Sequence, residues 1–247
     1  MAPIVLIPAR MASTRLPAKP LVRIGGVAMI VRVLRQAEAA GLGPVVVAAG
    51  EMEIVRVVEE AGGRAVLSDP GLPSGSDRIH AALKTLDPGA RHDVVVNLQG
   101  DLPAIDPDQI RAVTAALGES GADIATLAAE ITDPAERDNP SVVKAVVAWG
   151  EGGRLGRALY FTRATAPAGE GPLFHHVGIY AYRRDALTRF VALPPSPLET
   201  REKLEQLRAL EANMSIAVAR VDSVPLSVDT QADLAKANQF FSGNIST

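Results

Sequence analysis

The sequence predicts an α/β fold built on a doubly wound, mostly parallel sheet, and three observations predict it. Apolar runs such as Ile4-Val5-Leu6-Ile7, Val45-Val46-Val47-Ala48-Ala49 and Val94-Val95-Val96 show no alternation with polar residues. Strands buried on both faces read this way. Segments with helical spacing separate them, and the crossovers are short, as in a sheet wound from strand–helix units.

The first strand covers the apolar run from Ala2 to Ala9. It opens into Arg10-Met11-Ala12-Ser13-Thr14-Arg15-Leu16-Pro17-Ala18-Lys19-Pro20, where small residues and prolines separate three cations. Prolines restrict the backbone, so this loop is expected to be ordered. From Ala28 to Ala40, Met29, Ile30, Val33, Leu34 and Ala37 recur at helical spacing, and Gly41 and Gly43 end the helix. Val45 to Ala49 is the second strand, Glu51 to Ala61 a helix closed by Gly62-Gly63, and Ala65-Val66-Leu67 a short third strand. A polar turn from Ser68 leads to a helix that ends at Leu86, with Ser76 or Asp77 as its candidate cap. Asp93 to Leu98 is the next buried strand, broken by Gln99-Gly100-Asp101-Leu102-Pro103. A helix from Pro107 to about Glu119 and a strand from Ile124 to Ala129 follow.

From Pro134 the pattern changes. Val142–Trp149 and His176–Tyr182 read as longer strands, separated by a Gly/Pro-rich stretch from Thr165 to Pro172. This smaller lobe, about 134–200, is expected to pair antiparallel while remaining part of one domain over 1–247. Leu198, Leu204, Leu207 and Leu210 put an apolar stripe on one helix from about Pro197 to Ala212. Ile216 to Val221 is a strand, Gln231 to Phe241 the last helix, and the tail from Ser242 to Thr247 is expected to be disordered.

Composition narrows the function. With 47% hydrophobic and 21% charged residues, the default is a folded soluble protein. A net charge of -3 argues against a general nucleic-acid binder, which is normally basic. The absence of cysteine excludes disulfides and thiolate metal sites and fits a reducing compartment. No apolar run approaches the roughly 20 residues of a membrane span, and no signal-peptide pattern opens the chain. The expectation is a cytoplasmic protein with no membrane insertion.

In an open α/β sheet, ligands bind beyond the carboxyl ends of the strands. Arg10, Arg15 and Lys19 follow such an end, and their charge suits a polyphosphate. The spacing is not that of a Walker loop, and charge alone leaves the three equally readable as solvated surface groups. Asp101 ends a buried strand after Gln99-Gly100, a place from which a carboxylate can hold Mg²⁺ together with substrate phosphates. An aspartate after a strand is more often a helix cap or turn former. Asp229 shares the ambiguity, because Asp229 or Thr230 can cap the final helix.

Together these segments resemble a known family. Ile7-Pro8-Ala9-Arg10, Ser13-Thr14-Arg15-Leu16-Pro17 and Lys19-Pro20-Leu21 resemble the signature loop of the sugar-acid cytidylyltransferases. Within them they look most like the 3-deoxy-manno-octulosonate (Kdo) cytidylyltransferase family. Asn97-Leu98-Gln99-Gly100-Asp101 resembles the family's metal-binding strand end, and Val228-Asp229-Thr230 its second acidic element. Ser74-Gly75-Ser76-Asp77-Arg78 resembles the segment beside the cytidine pocket. Tyr160 to Ala164, His176 to Tyr180 and Leu204 to Arg208 resemble the elements around the sugar acid. The matches keep the family's order across about residues 4–236. Departures are Leu102 for a polar residue, Ala49-Gly50 for Thr-Asp, Thr162 for Ser and Ser227 for Gly.

The resemblance implies a Rossmann-like nucleotidyltransferase domain that joins CTP to Kdo, giving CMP-Kdo and pyrophosphate for lipopolysaccharide biosynthesis. It implies Arg10, Lys19, Asp101 and Asp229 as catalytic, with Asp101 and Asp229 holding Mg²⁺. It implies Pro8, Ala9, Arg10, Arg15, Lys19, Ser74, Gly75, Arg78 and Gln99 as the nucleotide site. Arg163, His176, Tyr180, Glu205 and Gln206 would bind the sugar, Arg163 pairing with its carboxylate. It further implies a homodimer whose interface is the lobe. The competing readings are a related enzyme acting on 8-amino-Kdo or sialic acid, a dinucleotide enzyme, which the missing G-x-G-x-x-G after the first strand disfavours, and a non-catalytic nucleotide-binding regulator.

Overall fold

The computed structural model of the protein describes residues 1–243. Residue contacts divide the chain into two compact units. One is Ala2–Ile110 with Pro225–Thr247; the other is Arg111–Val224 with Met1. The lobe expected at about 134–200 falls inside the second unit.

The first unit is built on parallel strands. β1 (Pro3–Ala9) pairs with β4 (Val45–Ala49) on one side and β6 (Val94–Asn97) on the other, and β5 (Ala65–Leu67) adds beyond β4. All four residues of β6 and all five of β4 are buried, which is why these strands carry valine and alanine without alternation. Before β4, a 3-10 turn at Lys19–Leu21 and a small hairpin intervene, β2 (Arg23–Ile24) with β3 (Val27–Ala28). Helix α1 (Met29–Ala39) buries Met29, Ile30, Val33, Leu34 and Ala37, the residues whose spacing predicts it. Helix α2 is Met52–Glu60 and α3 is Gly75–Leu86.

The cap of α3 differs from expectation. Ser74, not Ser76 or Asp77, is the N-cap, and its hydroxyl oxygen accepts the Asp77 N–H at 3.1 Å. The turn before the helix holds Ser74 extended, so the cap falls two residues earlier.

α4 (Pro107–Ser120) leads into β7 (Ile124–Glu130). A short α5 (Pro134–Arg137) precedes β8 (Lys144–Trp149), β9 (Leu155–Thr162) and β10 (Phe174–Arg183). Here antiparallel pairing enters as expected: β8 with β9, β10 with β7, and β9 with β11 (Ile216–Val221), while β11 lies parallel to β7. β9 has no counterpart in the sequence reading, because Gly156 and Arg157 interrupt its apolar pattern. Nor has α6 (Arg184–Ala192), although its buried Ala186, Leu187 and Phe190 do carry a helical spacing.

The single helix expected over Pro197–Ala212 is two. α7 (Pro197–Glu202) stops where Lys203 takes a left-handed conformation, φ 56°, and α8 (Gln206–Glu211) starts afresh. Leu204 and Leu207, after the break, are buried, whereas Leu198 before it is only half-buried. The last helix, α9 (Gln231–Gly243), runs further than expected. Ser242 and Gly243 are helical rather than disordered, and the rest of the expected tail lies outside the described residues. Among the described residues no helix is long and apolar enough to cross a membrane.

Candidate functional site

The cationic loop is ordered by burial as well as by its prolines. Leu16 turns inward and packs with Ile24, Met29, Val228 and Ala237. One apolar cluster thereby ties the loop after β1 to the segment before α9. Ala18 takes a left-handed conformation and turns the chain into the 3-10 helix that begins at Lys19.

Lys19 is the hub. Its ammonium donates to Asp101 Oδ2 at 2.7 Å and to Asp229 Oδ1 at 2.6 Å. Arg15 reaches the same Asp229 oxygen at 3.1 Å. Burial alone would lower the Lys19 pKa; the Asp101 and Asp229 carboxylates outweigh it and raise the value. Lys19 therefore stays charged at neutral pH. The two acidic segments are also joined through their backbones, since Val228 N–H donates to the Asp101 carbonyl at 3.0 Å.

The ambiguity at the final helix is settled by hydrogen bonds. Thr230 is the cap: its hydroxyl oxygen accepts the Asp233 N–H at 3.2 Å, and the Asp233 carboxylate accepts the Thr230 N–H at 3.0 Å. Asp229 is left to face Lys19. Gly100 permits the close approach on the other side, because a Cβ there would stand 3.0 Å from the Pro8 carbonyl oxygen.

These groups line one cavity of about 450 Å³. Its wall contains Pro8, Ala9, Arg10, Arg15, Lys19, Ser74, Gly75, Arg78, Gln99, Asp101 and Asp229, every residue that the sequence nominated for nucleotide or metal. The N-terminus of α3 opens onto it through Ser74 and Gly75, and a helix N-terminus favours negative charge. Ser74 and Arg78 have their polar atoms engaged within the fold. Ser74 donates to Asp77 Oδ2 at 2.6 Å. The buried Arg78 guanidinium donates to Ser68 Oγ at 2.7 Å and to the Asp69 carbonyl at 3.0 Å, so it shapes the turn beside the cavity. Burial lowers the Arg78 pKa, with the Glu51 charge opposing.

Glu51 was not singled out from sequence. Its carboxylate accepts the Met11 N–H at 2.8 Å and so anchors the cationic loop. Gly50 is the departure from Asp noted above. A Cβ there would sit 3.1 Å from Arg78 Nη1, and the acidic group this chain does have stands one residue later.

The residues nominated for the sugar lie in the second unit. Arg163 follows β9, and its guanidinium donates to the carbonyls of Glu202 at 2.8 Å and Pro140 at 3.1 Å. The Glu202 carboxylate meanwhile accepts the Arg163 N–H at 3.0 Å and the Thr162 hydroxyl at 2.8 Å. Burial raises the Glu202 pKa, but these bonds from Arg163 and Thr162 prevail and lower it. Glu202 was also missed in the sequence, where it reads as one more charge on a solvated helix face. Thr162 in place of Ser keeps the hydroxyl this carboxylate needs. Lys144, wholly buried, donates to the Asn139 carbonyl at 2.8 Å and the Val142 carbonyl at 2.9 Å, holding the turn next to Pro140. A lone lysine opening an apolar strand was the available signal.

The rings of His176 and Tyr180 lie 5.6 Å apart. Burial, with a smaller contribution from His175, pushes the His176 pKa down to about 3, so its ring is neutral at pH 7. Burial, then the Tyr182 and Glu205 charges, raise the Tyr180 pKa well above its usual value. Gln206 is buried, and its amide Nε2 has no hydrogen-bond partner among the described residues.

A family model described as cytidylyltransferase matches residues 4–216. The chain belongs to the cytidylyltransferase family. Among curated cytidylyltransferases, the 3-deoxy-manno-octulosonate cytidylyltransferase of Parvibaculum lavamentivorans is 67% identical over 95% of this chain and 91% of its own length. That of Rhodospirillum centenum is 64% identical over the same shares. A solved structure of CMP:2-keto-3-deoxy-manno-octonic acid synthetase, complexed with CTP, superposes with a TM-score of 0.91. It is 35% identical and covers 99% of this chain and 100% of its own. The mixed α/β cytidylyltransferase fold expected from the sequence is thus the fold observed.

Proposed function

We propose that this chain activates Kdo with CTP, forming CMP-Kdo and pyrophosphate for lipopolysaccharide biosynthesis. The observation that carries the reading is one cavity that joins Arg10, Arg15 and Lys19 to Asp101 and Asp229, in a chain whose curated relatives bear that name.

The sugar's anomeric hydroxyl oxygen attacks the α-phosphorus of CTP in line. The bond from that phosphorus to its bridging oxygen breaks, pyrophosphate leaves, and the hydroxyl proton passes to water. Arg10, Arg15 and Lys19 hold the triphosphate and stabilise the charge that develops on pyrophosphate. Pro8, Ala9, Ser74, Gly75 and Gln99 frame the nucleoside, with Arg78 bracing the turn beside it. Arg163 presents a planar, two-pronged donor to the sugar carboxylate, and His176, Tyr180, Glu205 and Gln206 read the hydroxyls.

Asp101 and Asp229 meet the same ammonium at 2.7 and 2.6 Å, so two carboxylates face one cation-sized place. That donor set fits Mg²⁺, which is commonly bound by one or two carboxylates together with substrate phosphates. When bound there, Mg²⁺ neutralises phosphate charge and makes the attacking hydroxyl more acidic. The lobe is proposed as the isologous interface of a homodimer; β8 ends its strand order, and Leu159 on β9 is half exposed. A cytoplasmic location accords with a chain that lacks cysteine.

The test is pyrophosphate release over the four nucleoside triphosphates, each with Kdo, 8-amino-Kdo and sialic acid. CTP with Kdo should exceed every other pair. A higher kcat/KM for sialic acid or 8-amino-Kdo reassigns the acceptor. No release with any pair makes the chain a nucleotide-binding protein without this activity.

A further inference from the structure

The pairing of β10 with β7 slips between Val177 and Tyr180. Gly178 and Ile179 stand in that irregularity, and one side chain of β7 fills it. Thr126 is wholly buried, and its hydroxyl oxygen lies 3.1 Å from the Val177 carbonyl oxygen and 2.8 Å from that of Ile179. His176 Nε2 is 3.0 Å from the same hydroxyl oxygen.

The protons around this oxygen can be counted. A hydroxyl carries one proton, and a carbonyl oxygen can only accept. The Thr126 proton therefore goes to the carbonyls. What the hydroxyl offers His176 is a lone pair, so Nε2 must be the donor. Were Nε2 bare, it would compete for the single proton, and two buried carbonyl oxygens would face an oxygen with nothing to donate.

We infer that Thr126 is a positioning residue that locks His176 as the neutral Nε2–H tautomer, leaving Nδ1 as a lone-pair acceptor for a hydroxyl of the sugar acid. The burial that keeps the ring neutral agrees with this. The inference rests on the proposed reading of His176 as a sugar-binding residue. Its chemical content is a direction: at this point the protein accepts, and the substrate must donate. A site of this kind rejects analogues lacking the hydroxyl, because its acceptor is then left unpaired.

The tautomer is read without substrate, by two-bond ¹H–¹⁵N correlation on the full chain labelled at its four histidines. His176→Gln assigns the signal by its loss. At pH 7 the wild type should show a protonated-type Nε2 and a bare-type Nδ1. A protonated-type Nδ1, or a doubly protonated ring, overturns the inference. Thr126→Val removes the hydroxyl at nearly constant shape and should mix the tautomers. It should also raise the KM for Kdo about 10-fold, the worth of one hydrogen bond, while the KM for CTP stays unchanged. Thr126→Ser should restore both. If Thr126→Val changes the tautomer and leaves the KM for Kdo unmoved, the role in sugar binding is wrong. Should Thr126→Val fail to fold, the wild-type spectrum and Thr126→Ser still decide the matter. Failure of the wild type to use Kdo at all would count against the proposed function, whereas the wrong tautomer counts against this inference alone.

Discussion

Lys19 and Arg163 are both nominated to meet an anion, and the fold holds them in opposite ways. Lys19 is only 16% exposed and is clamped by two carboxylates. Arg163 is half-buried, and its guanidinium is oriented by backbone carbonyls of Glu202 and Pro140. A carboxylate clamp neutralises the cation it holds, and a cation or phosphate entering the cavity competes for either member of the pair. Carbonyl dipoles fix direction while leaving the net positive charge in place. The first arrangement suits a centre where charges are exchanged during a reaction. The second suits a fixed receptor for one carboxylate.

The strongest way to break this comparison is to remove the clamp's negative charge. Asp101→Asn and Asp229→Asn keep size, and each should lower kcat at least ~100-fold, roughly 2.7 kcal/mol of barrier. Urea unfolding should change little. Near-normal turnover at saturating Mg²⁺ in either variant would remove that aspartate from the reacting centre.

Next is the cation itself. Lys19→Ala should raise the KM for CTP by about 30-fold, on the order of 2 kcal/mol, and leave inhibition by CMP almost unaltered, since CMP lacks the distal phosphates. Arg15→Ala should act in the same direction by only about 2- to 3-fold, because an exposed ion pair is worth little; Arg15 is 65% exposed against 16% for Lys19. Equal losses of CTP and CMP binding would move these residues to the base, sugar or α-phosphate.

For the carbonyl-held cation, Arg163→Lys substitutes a point charge for an oriented fork. The KM for Kdo should rise about 10-fold, roughly 1.4 kcal/mol, with that for CTP unchanged. A defect confined to CTP would contradict the proposed division of labour.

The last effect concerns pH and bears on stability, not turnover. The folded His176 pKa of about 3 lies below the ordinary 6.5. Between those values the unfolded chain binds a proton at this ring that the folded chain does not. This group's contribution to stability is therefore flat above pH 6.5 and falls as the pH drops through the window, by up to about 1.4 kcal/mol per pH unit. His176→Gln should lose stability less steeply than wild type from pH 6.5 to 5, measured by urea unfolding. Parallel slopes would show that the ring titrates normally.

Much of this was legible along the chain because the signals are local. Unbroken valine runs marked β4 and β6, and helical spacing marked α1. The cations of the loop and the strand-end Asp101 stood out by type and position. Reading failed where the local signal was interrupted or ambiguous, as at Gly156 and Arg157 in β9. Ser74 and Ser76 are equally good cap residues, and the extended backbone before the helix chooses between them. The stripe of Leu198, Leu204, Leu207 and Leu210 does not reveal that Lys203 turns left-handed and breaks the helix.

By itself the sequence determined the order of the elements it marked, the residue types at the cavity wall and the family resemblance, which follow from periodicity and motif. Only the tertiary structure decided which polar groups are partnered. Lys19 meets carboxylates 82 and 210 residues away in the chain; Thr230 takes the helix cap and so leaves Asp229 to the cavity; Glu202 anchors Arg163 across 39 residues; and Thr126 spends its one proton on carbonyls of a strand about 50 residues later. The physical reason is that a side chain's donors and acceptors are fixed by its chemistry, whereas its partners are fixed by which distant segments packing brings within 3 Å.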